Sequence, residues 1–345
     1  MSNFILKDEN AVFYECGYSC DNEIFISFGG KNFFITDARY GIEAEESIKN
    51  AQIIVSSDVN ESAKELLKKL GATKITLNPY DFCVADYKNL CDDLGDIFEL
   101  EANFSQIKRM VKTSDEIAIL KDAAKFGAMG FERVCKFVKE CVKENLNERI
   151  SEQELNYEVE NLLKDKGRFG LSFAPITALN ANAAKAHALP TKNEIKNGDL
   201  LLFDAGIKYR RYCSDRTRTF EISENSSVDK TQKFSDNKKD EIYHIVLEAQ
   251  ELAIKAVKPG VKACEIDKIA RDFIAKAGYA ENFFHSTGHG VGLDIHELPR
   301  ISAKSEVILE KGMVFSIEPG IYLKDEFGVR IEDVVVVTDD GCEIL

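Results

Sequence analysis

Along the first hundred residues the apolar positions alternate between two spacings. FFIT at 33–36 and AQIIVSS at 51–57 are short apolar runs that predict strands, and TKITLNP at 73–79 predicts another. Between them, ESAKELLKKLG carries its apolar residues at helical spacing and closes on Gly71, a residue suited to ending a helix. Strand, helix, strand is the rhythm of a small α/β domain, predicted over residues 1–106. It contains no histidine.

From residue 107 the rhythm changes. TSDEIAILKDAAKFGAMGFERVCKFVKECV predicts a long helix that opens on a Thr113/Glu116 capping box, with Ile117, Leu120, Ala124, Phe131, Val134 and Val138 along one face. Ser151 and Glu154 predict a second box ahead of NYEVENLLKDKG. LLLFDAGIKY and YCSDRTRTFEI then read as two strands joined by a tight connection. Helix, helix, hairpin recurs further on as DEIYHIVLEAQELAIKAV, CEIDKIARDFIAKAG, and the pair MVFSIEPGIYL and FGVRIEDVVVVT. Asp204-Ala-Gly-Ile falls where Glu318-Pro-Gly-Ile falls in the repeat. A duplicated α+β half, with two halves facing across a cleft, is the expectation for residues 107–345. The polar stretch SENSSVDKTQKFSDNKK, 223–239, separates the halves and is expected to be a surface loop or partly disordered.

Composition narrows the chemistry. A net charge of -14 over 345 residues disfavours nucleic acid and anionic membrane as partners, because both want basic patches. There is no apolar run of spanning length, and the start MSNFILKDEN lacks a basic segment followed by an apolar one, so the expected location is the cytoplasm. Nine scattered cysteines agree with a reducing compartment. Cys16 and Cys20 lack a second pair at zinc-site spacing.

The acids in the two hairpins are the informative residues. With the first turn centred near Tyr209 and Arg210, Asp204 and Asp215 become cross-strand partners. With the second centred near Asp325 and closed with help from Gly328, Glu318 and Glu332 do the same. Like charges directly opposed in apolar surroundings are costly. Shared protons could relieve one pair, and two divalent cations would relieve both, four negative charges meeting four positive ones. Three of five histidines lie in HSTGHGVGLDIHE, where glycines on both sides of His289 would let it approach an ion. His244, on a regular helix, reads as structural.

DAGIKYRRYCSDRTRTF, HSTGHGVGLDIHE, SIEPGIY and VRIEDVVVVT resemble the motifs of the methionine aminopeptidase and prolidase superfamily, the pita-bread fold. Its proline-specific members, aminopeptidase P and prolidase, are nearest in look. The likeness spans about 107–345, and the first domain resembles the creatinase-type amino-terminal domain of that group. The resemblance implies that Asp204 holds one metal, that His289 and Glu318 hold the other, and that Asp215 and Glu332 bridge the two. It further implies substrate-pocket roles for His187, His285, His296 and Arg330, and a homodimer. The absence of tryptophan departs from relatives that build a pocket wall from it.

Oxygen-rich ligation with one imidazole suits manganese, with zinc or cobalt as alternatives. Glu318 is the expected general base, while His296 and His187 are placed for the oxyanion or the leaving nitrogen. The expected activity is release of the first residue from Xaa-Pro peptides, aminopeptidase P ahead of the Xaa-Pro dipeptidase prolidase. Rivals are a methionine aminopeptidase, a metal-independent creatinase-like hydrolase, and a metal-free binding protein on the same fold.

Overall fold

The apolar runs of the first hundred residues become strands, those at the centre of the sheet buried on both faces and that at 52–55 partly exposed at its edge. In the computed structural model, which describes residues 3–143 and 150–345, these are β1 (Phe4–Leu6), β2 (Glu23–Phe28), β3 (Lys31–Thr36), β4 (Gln52–Val55), β5 (Ile75–Leu77) and β6 (Phe98–Leu100). They form one mixed sheet in the order β4-β3-β2-β1-β5-β6. Successive side chains leave a strand on opposite faces. Ile24 and Ile26 therefore meet α3 (Val59–Lys69) and α4 (Val84–Leu94) on one face, through Ala63, Leu67 and Leu90. Phe25 and Phe34 meet Val12 of α1 (Glu9–Cys16) and Ala44 of α2 (Gly41–Ser47) on the other. Asp58 caps α3 by accepting from the Glu61 amide at 2.9 Å, and Gly71 follows the helix at φ 64°. With α5 (Phe104–Arg109) these elements complete one unit, Met1–Arg109.

The second unit, Met110–Leu345, holds the acids. Its first half runs α6 (Ser114–Lys143), α7 (Glu152–Lys164), β7 (Gly170–Leu171), β8 (Ile176–Leu179), β9 (Leu200–Ala205), β10 (Ile207–Tyr209), β11 (Tyr212–Cys213) and β12 (Arg216–Glu221). Both capping boxes form: the Thr113 amide donates to Glu116 at 2.8 Å, and Ser151 and Glu154 exchange bonds likewise. Leu120, Phe131, Val134 and Val138 are buried as the periodicity predicts. Ile117 and Ala124 are only half-buried, because Ala123 and Gly127 take the inner positions of that face.

The second half repeats the order with α8 (Asn237–Ala256), α9 (Ala263–Lys276), β13 (Gly288–Gly290), β14 (Glu297–Ile301), β15 (Val314–Ile317), β16 (Gly320–Leu323), β17 (Phe327–Arg330), β18 (Asp333–Val337) and β19 (Cys342–Ile344). The main sheets are β12-β9-β8 and β14-β13-β15-β18-β19. Alternation along the strands decides where the acids go. Leu201, Phe203 and Ala205 pack with Phe131, Val134, Leu155 and Val159 of α6 and α7, which turns Asp204 away from those helices. Phe315 and Ile317 pack with Val246, Ala249 and Ala270 of α8 and α9, which turns Ser316 to the opposite face.

The two halves are joined edge to edge. The Glu332 amide donates to Thr217 O at 3.1 Å, and Thr219 Oγ1 donates to Arg330 O at 2.9 Å. The segment 223–239 is more than a surface loop: it buries Val228 and Phe234, and Asp236 caps α8. Both aromatic and branched side chains were present in that polar stretch, and each found a core. Among the described residues no helix is long and apolar enough to cross a membrane.

Candidate metal centre

The first hairpin closes one residue later than the sequence suggests. Tyr209 pairs with Tyr212, and the two turn residues Arg210 and Arg211 both have positive φ, 48° and 71°. That is the backbone of a two-residue type I′ turn, which two arginines do not advertise. The register moves with it: Asp204 faces Thr217, and Asp215 lies two positions before that partner rather than opposite Asp204. In the second hairpin Leu323 pairs with Phe327 around Asp325, at φ 62°. Ile317↔Asp333 and Gly320↔Arg330 flank Glu318 and Glu332, so the same count brings those two opposite each other. Gly328 does not close the turn. It lies in β17, where a Cβ would come 2.0 Å from Ala183 O.

These strands bring the acids together. Ligand atoms of Asp215, His289 and Glu332 lie within 4.8 Å of one another, and all three residues are buried. His289 Nε2 stands 3.2 Å from Glu318 Oε1 and 3.7 Å from Asp215 Oδ2. Asp204 joins through Arg330, whose NH2 donates to its Oδ2 at 2.5 Å. The glycines around His289 serve packing: a Cβ on Gly288 would meet Ser316 O at 1.8 Å, and one on Gly290 would meet Leu298 O at 2.2 Å. The imidazole tautomer follows from its neighbours. Nδ1 faces the Gly290 carbonyl at 3.1 Å, which can only accept, so Nδ1 carries a proton; Nε2 faces Glu318, shares a second proton with that carboxylate in the metal-free protein, and would give its lone pair to an ion that displaced the proton.

Charge crowding is visible in the proton equilibria. Burial first, then the charges of Glu332 and Asp204, push Asp215 well above the carboxylate range. Glu332 is pushed well above its range by burial and by Glu318 and Asp204. Burial raises Asp204 as well, against the pull of Arg330. Burial also opposes ionisation of Glu318, but its hydrogen bond and charge pairing with His289 win and hold it down. Oδ1 of Asp204, Oδ1 of Asp215 and Oε1 of Glu332 are buried without a hydrogen-bond partner. Buried carboxylate oxygens left without a partner on three acids, two of which meet His289 within 4.8 Å, are costly for a bare protein and suited to divalent cations, so the residues fit a metal centre.

The remaining expected residues are placed around this cluster. The His296 ring stands 4.2 Å from that of His289, edge to face. His285 Nδ1 donates to Ser286 O at 2.8 Å, so its Nε2 accepts from Tyr322 Oη at 2.9 Å, and Tyr322 in turn accepts from Arg330 NH1 at 2.8 Å. His187 is exposed in a turn beside Ala186, whose carbonyl accepts from Arg330 NH1 at 3.1 Å. His244 Nδ1 contacts only its own helix, at Asp240 O. Sequence reasoning missed Tyr322 and Thr217. Thr217 donates to Glu332 Oε2 at 2.7 Å and accepts from Arg330 Nε at 3.1 Å. Their signals were present, Tyr322 four residues past Glu318 and Thr217 two past Asp215, but both looked like ordinary strand residues.

Residues 118–339 match the metallopeptidase family M24. The Xaa-Pro dipeptidase of Pyrococcus horikoshii is 34% identical over 99% of this chain and 91% of its own length. Among solved structures, an Xaa-Pro dipeptidase from Bacillus anthracis superposes with a TM-score of 0.89 at 32% identity, covering 99% of this chain and 92% of the other. An X-Pro aminopeptidase from Thermotoga maritima gives 0.85 at 30% identity, covering 100% and 95%. With its mixed α+β pita-bread architecture and its buried acids in the matched region, the chain belongs to metallopeptidase family M24.

Proposed function

We propose that this protein is a metal-dependent Xaa-Pro dipeptidase, cleaving the bond between a first residue and proline. The observation that carries the metal chemistry is the set of orphaned carboxylate oxygens converging beside His289 Nε2. Asp204, Asp215, His289, Glu318 and Glu332 would hold two divalent ions, manganese being the best match to this donor set. Such ions polarise a scissile carbonyl and lower the pKa of water.

The chain's own groups then divide the remaining work. Glu318, whose Oε1 stands 3.2 Å from His289 Nε2, takes a proton from the attacking water and delivers it to the leaving proline nitrogen as the C–N bond breaks. His296, exposed beside His289, donates to the oxygen that becomes negative in the tetrahedral state. His285, Tyr322 and Arg330 form a hydrogen-bonded row that fixes the substrate side of Asp204. His187 stands at the rim near His296. Loss of His296 should cost turnover of roughly 10² to 10³ with the Michaelis constant and metal content kept.

Two observations favour a dipeptidase over the aminopeptidase P reading that the sequence put first. The Pyrococcus horikoshii and Bacillus anthracis relatives carry that activity in their names. In addition, Arg300 is the cross-strand partner of His289, so its side chain leaves on the same face as the metal-side imidazole. An exposed guanidinium there is suited to the free carboxylate of a dipeptide, which a longer peptide presents elsewhere. The likeness to the Thermotoga maritima enzyme keeps aminopeptidase P as the second reading. Manganese-loaded protein should hydrolyse Xaa-Pro faster than Xaa-Pro-Yaa, and Arg300→Ala should raise the Michaelis constant for the dipeptide alone. Preferential cleavage of the tripeptide would transfer the assignment to aminopeptidase P.

A further inference from the structure

Lys112 and Glu297 form an ion pair with Nζ 2.6 Å from Oε1, both side chains 1% exposed. Burying two charges seldom repays its desolvation, and an apolar pair of similar volume is often as stable. Stability therefore gives no reason for this pair, but its place in the fold does. Glu297 immediately follows His296 and pairs across the strand with Gly290, next to His289. The loop before His296 is wrapped on the Glu297 carboxylate so closely that a Cβ on Gly292 would lie 2.2 Å from Oε1.

The other end of the pair is equally fixed. The Lys112 amide donates to Gly312 O at 2.9 Å, and the next residue opens α6 through the Thr113/Glu116 box. Glu116 Oε1 also accepts from Tyr212 Oη at 3.0 Å, and the amide of Cys213 donates to Gly292 O at 2.8 Å. The first turn of α6 thus reaches the 292–296 loop by two routes, one through Lys112 and Glu297 and one through Glu116, Tyr212 and Cys213.

We infer that Lys112 and Glu297 are positioning residues that set the place of His296 over the reacting carbonyl. His296 is exposed at the end of this loop, the last residue before β14, and takes its direction from the backbone that Glu297 anchors. The inference rests on the role given to His296 above. Displacing a catalytic group by about 1 Å can cost up to roughly 10² in rate.

The test uses metal-loaded Lys112→Met and the double variant Lys112→Met/Glu297→Gln, which leaves no unpaired buried charge. Turnover of an Xaa-Pro dipeptide should fall by about 10-fold or more within that limit, with the Michaelis constant and metal content unchanged. In a His296→Ala background, Lys112→Met should lower turnover no further. With five histidines in the chain, the His296 ring signal in a two-dimensional NMR spectrum should shift or split in the variants while that of His244 stays put. Full turnover in the double variant, an additive loss on His296→Ala, an unchanged His296 signal, or a double variant that does not fold would each overturn the inference. If His296→Ala itself keeps full turnover, the role of His296 falls, and the NMR signal still decides whether Lys112 holds that ring.

Discussion

At the scale of single residues, the site is organised by which atoms can only accept. Because Ser286 O cannot donate, His285 presents Nε2 as an acceptor, the Tyr322 hydroxyl must donate to it, and the same oxygen is left to accept from Arg330. Tyr322→Phe removes both bonds at once and leaves a buried imidazole nitrogen unpaired, a loss of about 1–3 kcal/mol where it is felt. The expected result is a drop in kcat/KM of about tenfold, equivalent to roughly 1.4 kcal/mol, with metal content intact; unchanged kinetics would reduce Tyr322 to packing. The cysteines give a second residue-scale prediction. Burial pushes the Cys16 thiol up to about 12 and Cys213 up to about 11, so both are protonated and poorly reactive at pH 8. Cys83 is exposed. A thiol reagent at pH 8 should label Cys83 in the folded protein and reach Cys16 and Cys213 only on unfolding. Prompt labelling of either buried thiol would contradict the packing described.

At the scale of elements, the helices were legible in the sequence and the hairpin registers only half so. Thr113 with Glu116 and Ser151 with Glu154 announce helix starts because a capping box has a local chemical signature. The strand partners depend on a turn whose residues, Arg210 and Arg211, carry no preference for the positive φ they adopt, and the predicted centre was therefore misplaced. Gly328 misled for the opposite reason, since its lack of a side chain serves close approach to Ala183 rather than a turn. Tyr322 and Thr217 were invisible because their function is made by cross-strand neighbours distant in the chain. The turn also yields a prediction. Arg210→Asn with Arg211→Gly supplies the residues a type I′ turn prefers and should stabilise the protein, the relieved left-handed strain of about 1–2 kcal/mol per residue outweighing the roughly 0.4–1 kcal/mol of freedom that a glycine adds to the unfolded chain. Chemical denaturation would show a higher midpoint with an unchanged slope; a lower midpoint would mean that the arginines hold the turn through contacts worth more than the backbone strain.

At the scale of the whole molecule, the two halves of the second unit each deliver acids to a face turned from their own helices, and together they create a charge problem that protein groups do not solve. Arg330 neutralises one oxygen of Asp204, and His289 pairs with Glu318, while burial and the neighbouring acids push Asp215 and Glu332 both toward their protonated forms. Removing the metal should therefore destabilise the fold as well as stop catalysis. An ion present at 100 times its dissociation constant stabilises the folded state by about 2.7 kcal/mol, which in a unit of this size corresponds to a melting shift of roughly 5–10 °C. Chelation should lower the melting temperature of wild-type protein by about that much, and added manganese should restore it. The shift should grow as pH rises, because the ligands must lose their protons to bind. Asp215→Asn separates the two effects. It removes a proposed ligand, so activity should fall by at least the roughly 10² that loss of an outer partner can cost, and the manganese-induced shift should shrink or vanish. It also removes a buried, repelled carboxylate, so the metal-free variant should melt no lower than metal-free wild type. Were Asp215→Asn to keep the full manganese shift, Asp215 would have to be struck from the ligands; were chelation to leave wild-type melting unchanged, the crowded carboxylates would be satisfied by protons alone and the metal centre would have to be abandoned.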